Sequence, residues 1–161
     1  MGKAILYLII FSCLSKISFA KDCQRYIRNY EKQYNIPKDL LSAISNVESS
    51  YNPYAVNFAG KAYYFKTKEE AIVYVNDLLA KGYKSFDVGC LQINYRYHSK
   101  NFNSLDEMFE ITNNIKYGAN YLKQLHKATS NWREAVAKYH SSKEINQRKY
   151  TRQVLEKWVK L

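Results

Sequence analysis

Ile44-Ser45-Asn46-Val47-Glu48-Ser49-Ser50-Tyr51-Asn52-Pro53 sets a carboxylate where a helix is otherwise apolar. Upstream, Pro37 at a first-turn position and Leu40, Leu41, Ile44 and Val47 on one face predict a helix ending near Ser49. Glu48 shares that face, since at about 100° per residue it points nearly where Ile44 and Leu41 do. Asn52 precedes Pro53 and is pushed out of the α region, which ends the helix abruptly. An acid at such a helix end is short of water. Burial disfavours its charged form and raises its pKa, the condition for donating a proton near neutral pH. A glutamate in a last turn also commonly frays into solvent, so the rest of the chain decides between the two.

Before this stretch, Cys23, Tyr26, Ile27, Tyr30 and Tyr34 repeat at helical spacing and predict a helix from about Asp22 to Tyr34. After it, Val56-Asn57-Phe58, a turn at Ala59-Gly60 and Ala62-Tyr63-Tyr64-Phe65 read as a short hairpin. Thr67-Lys68-Glu69-Glu70 is a capping box for a helix burying Ala71, Ile72, Val75, Leu78 and Leu79 and closed by Gly82. Ser85 to Asn94 reads as a strand or tight loop returning beside the hairpin, with period two placing Gln92 and Asn94 on one side. Two amides there suit the hydroxyl and acetamido groups of a sugar, or simply turn chemistry. Ser104-Leu105-Asp106-Glu107 caps a short helix. Thr112 or Asn113 is expected to cap the next, with Ile115, Gly118, Ala119, Leu122 and Leu125 inward. Trp132, Ala135, Val136 and Tyr139 mark a further helix ending around His140, and Tyr150, Val154 and Trp158 the inner face of a last one, Glu144 to Val159.

The 161 residues, 47% of them apolar, suit one domain with its own core. Residues 1–20 read separately: Lys3, an apolar run from Ala4 to Leu14 and the ending Ser18-Phe19-Ala20 make a secretory signal peptide. The run is shorter than the about 20 residues of a membrane span. Ile10-Phe11-Ser12-Cys13 is a poor lipoprotein site. Cleavage after Ala20 removes Lys3 and Lys16 and no acid, which lowers the formal charge from +11 to +9. An exported basic protein meets anionic cell-wall polymers, membrane surfaces or nucleic acid, but the lysines are spread out and no nucleic-acid module is evident. Cys23 and Cys90 remain, in a compartment that permits a disulfide between them.

Three pieces now stand in order: Val47-Glu48-Ser49, Asp87-Val88-Gly89-Cys90-Leu91-Gln92-Ile93-Asn94, and Ala135-Val136-Ala137-Lys138-Tyr139-His140. Together they resemble the lytic transglycosylases of bacteria. In that lysozyme-like catalytic domain a helix-end Glu precedes an Asn-Pro, a Gly-x-x-Gln-Ile segment and an Ala-x-Tyr element. The resemblance implies a mainly α (α+β lysozyme-like) fold over residues 21–161, a helical domain with a small antiparallel sheet beside the catalytic cleft. It further implies non-hydrolytic cleavage of the β-1,4 bond between N-acetylmuramic acid and N-acetylglucosamine in peptidoglycan, leaving 1,6-anhydro ends. Glu48 is then acid and afterwards base, and Asn57, Gln92, Asn94 and Tyr139 bind substrate. His140 stands where the family usually has Asn, and Cys90-Leu91 where it usually has Leu-Met. No metal or other cofactor is implied. The partners are glycan strands, with a secretion-system or pilus assembly as a further one, and the expected state is a monomer exported to the periplasm or cell envelope.

Three other readings compete. A hydrolytic muramidase would use Asp87 as a second carboxylate. A non-catalytic peptidoglycan-binding assembly factor would dispense with Glu48. A thiol enzyme would pair Cys90 with His98 or His140.

Overall fold

Residues 21–140 and 144–161 are described by the computed structural model, and the leader read at residues 1–20 lies outside them. The architecture is mainly α with one small antiparallel sheet, as expected. Helix α1 covers residues 21–34. It is followed by α2 (Leu40–Ser49), the hairpin β1 (Ala55–Phe58) and β2 (Lys61–Tyr64), and α3 (Lys68–Ala80). Then come β3 (Phe86–Val88), β4 (Ile93–Asn94), α4 (Tyr95–His98) with a 3-10 turn at Ser99–Asn101, and α5 (Leu105–Phe109). The last three helices are α6 (Ile111–Thr129), α7 (Trp132–His140) and α8 (Glu144–Trp158).

Helix α2 starts later than its proline suggested. Pro37 lies outside it, because Asp39 takes a left-handed conformation (φ 64°) and offers no side-chain cap. The cap comes instead from α1. The buried Glu31 carboxylate accepts hydrogen bonds from the amides of Leu41 (2.8 Å), Ser42 (3.1 Å) and Asp39 (3.1 Å). These are the donors a helix start leaves unpaired, and an anion there also suits the helix dipole. Burial nevertheless raises the Glu31 pKa, the backbone donors offsetting only part of the shift. Glu31→Ala is expected to cost about 3 kcal/mol in denaturant unfolding, the loss of charge-assisted bonds to buried amides. At the other end Ser50 (φ 53°) and Tyr51 (φ 62°) are both left-handed, so the chain turns away directly after Glu48 and Ser49.

The sheet order is β2-β1-β3-β4, antiparallel throughout. The hairpin turn is Ala59 (φ 52°) and Gly60 (φ 78°), the two left-handed residues that a tight two-residue connection of twisted strands prefers. Val56, Val88 and Ile93 form one row across β1, β3 and β4 and are buried. Asn57, Asp87 and Asn94 form the next row, whose side chains point to the opposite face.

Both capping boxes form at the expected caps, with only the return bond displaced by one residue. Thr67 accepts from the Glu70 amide (3.2 Å), and the Glu70 carboxylate reaches back to the Lys66 amide (2.9 Å). Ser104 and Glu107 repeat this with Asn103. Neither Thr112 nor Asn113 caps α6, which begins earlier, after Glu110, with no side-chain cap. Thr112 meets the Tyr30 hydroxyl instead (3.2 Å), tying α6 to α1. The core gathers Leu40, Leu41 and Ile44 of α2 with Val56, Phe86, Ile115, Leu122, Val136 and Val154. Cys23 and Cys90 are disulfide-bonded, so α1 is fastened to the β3–β4 connection. Cys90 thus has no free thiol, which removes the thiol-enzyme reading.

Candidate active site

Glu48 stands in the last turn of α2 with its side chain 13% exposed. Burial pushes its pKa up to about 8; the nearby Asp87 charge adds to the rise and the Tyr150 hydroxyl opposes it. At neutral pH the group is a carboxylic acid, able to donate.

The helix end that carries Glu48 is tied to the turn between β3 and β4. Ser45 and Ser49 both donate their hydroxyls to the Cys90 carbonyl, at 2.9 and 2.8 Å. That turn is in turn gripped by Asn114 of α6, which is buried. Its amide nitrogen donates to the carbonyls of Val88 (2.9 Å) and Met108 (3.0 Å), and its oxygen accepts from the Leu91 amide (3.0 Å). Gly89 makes the approach possible. It is left-handed (φ +84°), and a Cβ there would lie 2.3 Å from the Asn114 amide nitrogen.

Gln92 departs from the alternating-strand expectation. It lies in the turn itself with φ 47°, outside β4, and its side-chain amide donates to the carbonyls of Ala55 (3.1 Å) and Gly89 (3.0 Å). Asn94 shares its row with Asp87 and Asn57 rather than with Gln92. Its amide donates to the Asp87 carboxylate at 2.8 Å. Burial lifts the Asp87 pKa to about 6, against that hydrogen bond.

From the helical side, the Tyr139 hydroxyl donates to the Leu91 carbonyl at 2.9 Å, and burial holds its pKa well above the ordinary phenol range. Gly118 leaves the room for it, since a Cβ there would stand 2.9 Å from that hydroxyl. His140, one residue on, places Nδ1 4.0 Å from Glu48 Oε1. Burial lowers its pKa, so it is a neutral imidazole beside a neutral acid at pH 7. Its ring stacks on Tyr150 of α8, centroids 4.3 Å apart. Further along, Tyr121 packs on Tyr139 (5.5 Å) and on His98 (4.9 Å), and the Tyr117 hydroxyl meets His98 Nδ1 at 2.9 Å. Among the described residues no cluster of three or more His, Cys, Asp or Glu side chains is placed to hold a metal ion.

Residues 25–158 match the family model of the transglycosylase SLT domain. The chain belongs to the transglycosylase SLT family. No curated protein and no solved structure matched it. For an SLT domain the expected substrate is peptidoglycan. In this member Asp87 of β3 and Tyr139 of α7 lie within electrostatic reach of Glu48 on α2, and His140 of α7 stands beside it. Ser45, Ser49 and Asn114, which hold the turn, escaped the reading of the sequence. Ser45 and Ser49 were visible as two hydroxyls one helical turn apart beside an apolar face, and Asn114 as an amide four residues before Gly118. Tyr150 was read only as core. Among the described residues no helix is long and apolar enough to cross a membrane.

Proposed function

We propose that the protein is a peptidoglycan lytic transglycosylase acting on the β-1,4 bond between N-acetylmuramic acid and N-acetylglucosamine. The observation that carries this is Glu48: a carboxyl kept protonated at neutral pH chiefly by burial, at the end of a helix fastened to the β3–β4 turn. The Glu48 carboxyl gives its proton to the glycosidic oxygen as the bond from that oxygen to the muramyl anomeric carbon breaks, freeing the 4-hydroxyl of N-acetylglucosamine. The substrate's own acetamido group supports the cationic centre, a substrate-assisted course that needs no second carboxylate. Glu48, now a carboxylate, takes the proton of the muramyl 6-hydroxyl as its oxygen bonds to the anomeric carbon. The 1,6-anhydro end forms, Glu48 is protonated again, and no water is consumed. Asn57, Gln92, Asn94, Tyr139 and His140 are the substrate-binding residues of this reading, supported by their family positions. Export to the periplasm or cell envelope, by the leader read at residues 1–20, and service to a secretion-system or pilus assembly belong to the same proposal.

Incubating the protein with purified peptidoglycan and weighing the soluble fragments tests the reaction. Fragments lighter by one water than ordinary muropeptides are expected, and none from Glu48→Gln. One observation favours a second reading, a hydrolytic muramidase: Asp87 lies near enough to raise the Glu48 pKa and is itself poised at about 6. Asp87→Asn separates the two. In a transglycosylase it retains the reaction to within about tenfold and lowers the Glu48 pKa, because a like charge is gone. In a hydrolase it loses at least about a hundredfold.

A further inference from the structure

The strand register assigns each sheet residue to one of two faces. Val56, Tyr63, Phe86, Val88 and Ile93 share the inner face, where the aliphatic three and Phe86 are buried and the Tyr63 ring packs on Tyr74 of α3, centroids 4.9 Å apart. The outer face carries Asn94, Asp87, Asn57 and Ala62 in one row across the four strands. Tyr64 lies two residues beyond Ala62 on β2, opposite Ala55, and so stands on the outer face as well. Its neighbours Tyr63 and Phe65 turn the other way, onto Tyr74. Tyr64 itself is 56% exposed, and Ala62 on the same side is exposed and small, which leaves the flank of the ring open.

A single exposed aromatic needs no explanation in general. The place of this one supplies a reason. The Ala55 carbonyl, across from Tyr64, accepts from the Gly89 amide at 2.9 Å, where the β3–β4 turn begins. Tyr64, Ala55 and that turn are therefore level with one another across three strands, about 10 Å from end to end at about 4.8 Å per strand. The same turn holds the helix end of Glu48 through Ser45 and Ser49. The outer face thus runs without a break from the support of the acid, past two amides and a carboxylate, to a flat uncovered ring.

We propose that Tyr64 is a sugar-stacking residue at the far end of the cleft floor, carrying a saccharide of the glycan strand beyond those held at Glu48. This rests on the reading of the chain as a glycan-cleaving enzyme. A pyranose offers C–H bonds on its flat sides and hydroxyls around its rim. The first suit the negative face of an aromatic ring, and the second suit the amide of Asn57 and the carboxylate of Asp87. An apolar protein surface seated here would instead bury those two groups unpaired. Standing about 10 Å from the turn, the ring is out of reach of the disaccharide at the scissile bond, so Tyr64 selects for strand length.

The test is calorimetric binding of N-acetylglucosamine oligomers, two or six units long, to the Glu48→Gln protein, which holds saccharides without cutting them. Adding Tyr64→Ala should weaken the six-unit oligomer about tenfold and leave the two-unit one unchanged. Tyr64→Trp should keep the six-unit affinity, since stacking needs a ring and not the hydroxyl. With Glu48 intact, Tyr64→Ala should raise KM for long glycan strands about tenfold with kcat little changed, and the melting temperature should hold because the side chain is exposed. The Tyr64 ring signals in NMR should shift on adding the six-unit oligomer, a readout that needs no substitution at this position. Unmoved ring signals, or six-unit binding that is absent or indifferent to Tyr64→Ala, overturn the proposal. So does a loss shared equally by the two lengths, which would mark a general disturbance of the cleft. If Tyr64 holds the six-unit oligomer while the parent releases no anhydro ends, the transglycosylase reading fails and the saccharide site stands.

Discussion

Glu48→Gln is expected to lose about a thousandfold or more of glycan release while making the protein more stable at alkaline pH. The first half follows from removing the proton donor, with general acid and base steps commonly contributing 10²–10⁴-fold each. The second follows from linkage. The Glu48 pKa is raised from 4.5 to about 8 on folding, chiefly by burial. A raised pKa means that the folded state holds the proton more tightly, so the stabilisation is fully present below about pH 4.5 and lost as pH rises through about 8. Glutamine imitates the neutral acid at every pH. The variant should therefore match the parent in thermal melts near pH 4.5 and exceed it above pH 8, by an amount on the order of a few kcal/mol. Activity of the parent should decline over the same range, about tenfold per pH unit above pH 8, as the donor form disappears. Equal melting temperatures for parent and variant at pH 9 would show that Glu48 is not held in a dry place.

Asn114→Ala is expected to be the most damaging substitution outside the cleft. It strands the carbonyls of Val88 and Met108 and the amide of Leu91, all bonded to one buried side chain. At about 1–3 kcal/mol for each buried group left unsatisfied, the loss is roughly 3–5 kcal/mol, about 10 °C or more in Tm for a domain of this size. Activity should suffer beyond the loss of folded protein. The turn that Asn114 grips also offers the Leu91 carbonyl to Tyr139 and the Cys90 carbonyl to Ser45 and Ser49. Asn114→Asp is the sharper comparison: it keeps the acceptor for the Leu91 amide but sets a carboxylate oxygen against two carbonyls. Thermal melts of the three proteins, with release measured at a temperature where all are folded, check both parts.

What could be read in the chain is what depends on neighbours. The α2 face, the Ala59-Gly60 turn and the Thr67 and Ser104 caps all rest on residues within a few positions of one another, and each appeared where its pattern placed it. Glu48 was legible for the same reason, as an acid on an apolar stripe stopped by Asn52-Pro53. What stayed hidden depends on distant partners. The cap of α2 comes from Glu31 on the preceding helix, and no local motif announces it. Asn114 was passed over because local capping offered Thr112 and Asn113 a role, whereas its own partners include the β3–β4 turn. Gln92 was misplaced because alternation assumes extended backbone, and a left-handed residue in the turn breaks the period. Tyr150 fits the core stripe of α8 perfectly well, so its spacing says nothing of the acid it faces.

The measurement that bears most directly on the central claim is digestion of peptidoglycan in water enriched in heavy oxygen, followed by mass analysis of the released muramyl ends. If Glu48 acts alone and the muramyl 6-hydroxyl closes the ring, the new ends are anhydro and carry no label from the solvent. Labelled reducing ends would mean that water attacks the anomeric carbon, contradicting the account and giving Asp87 the part of the second carboxylate.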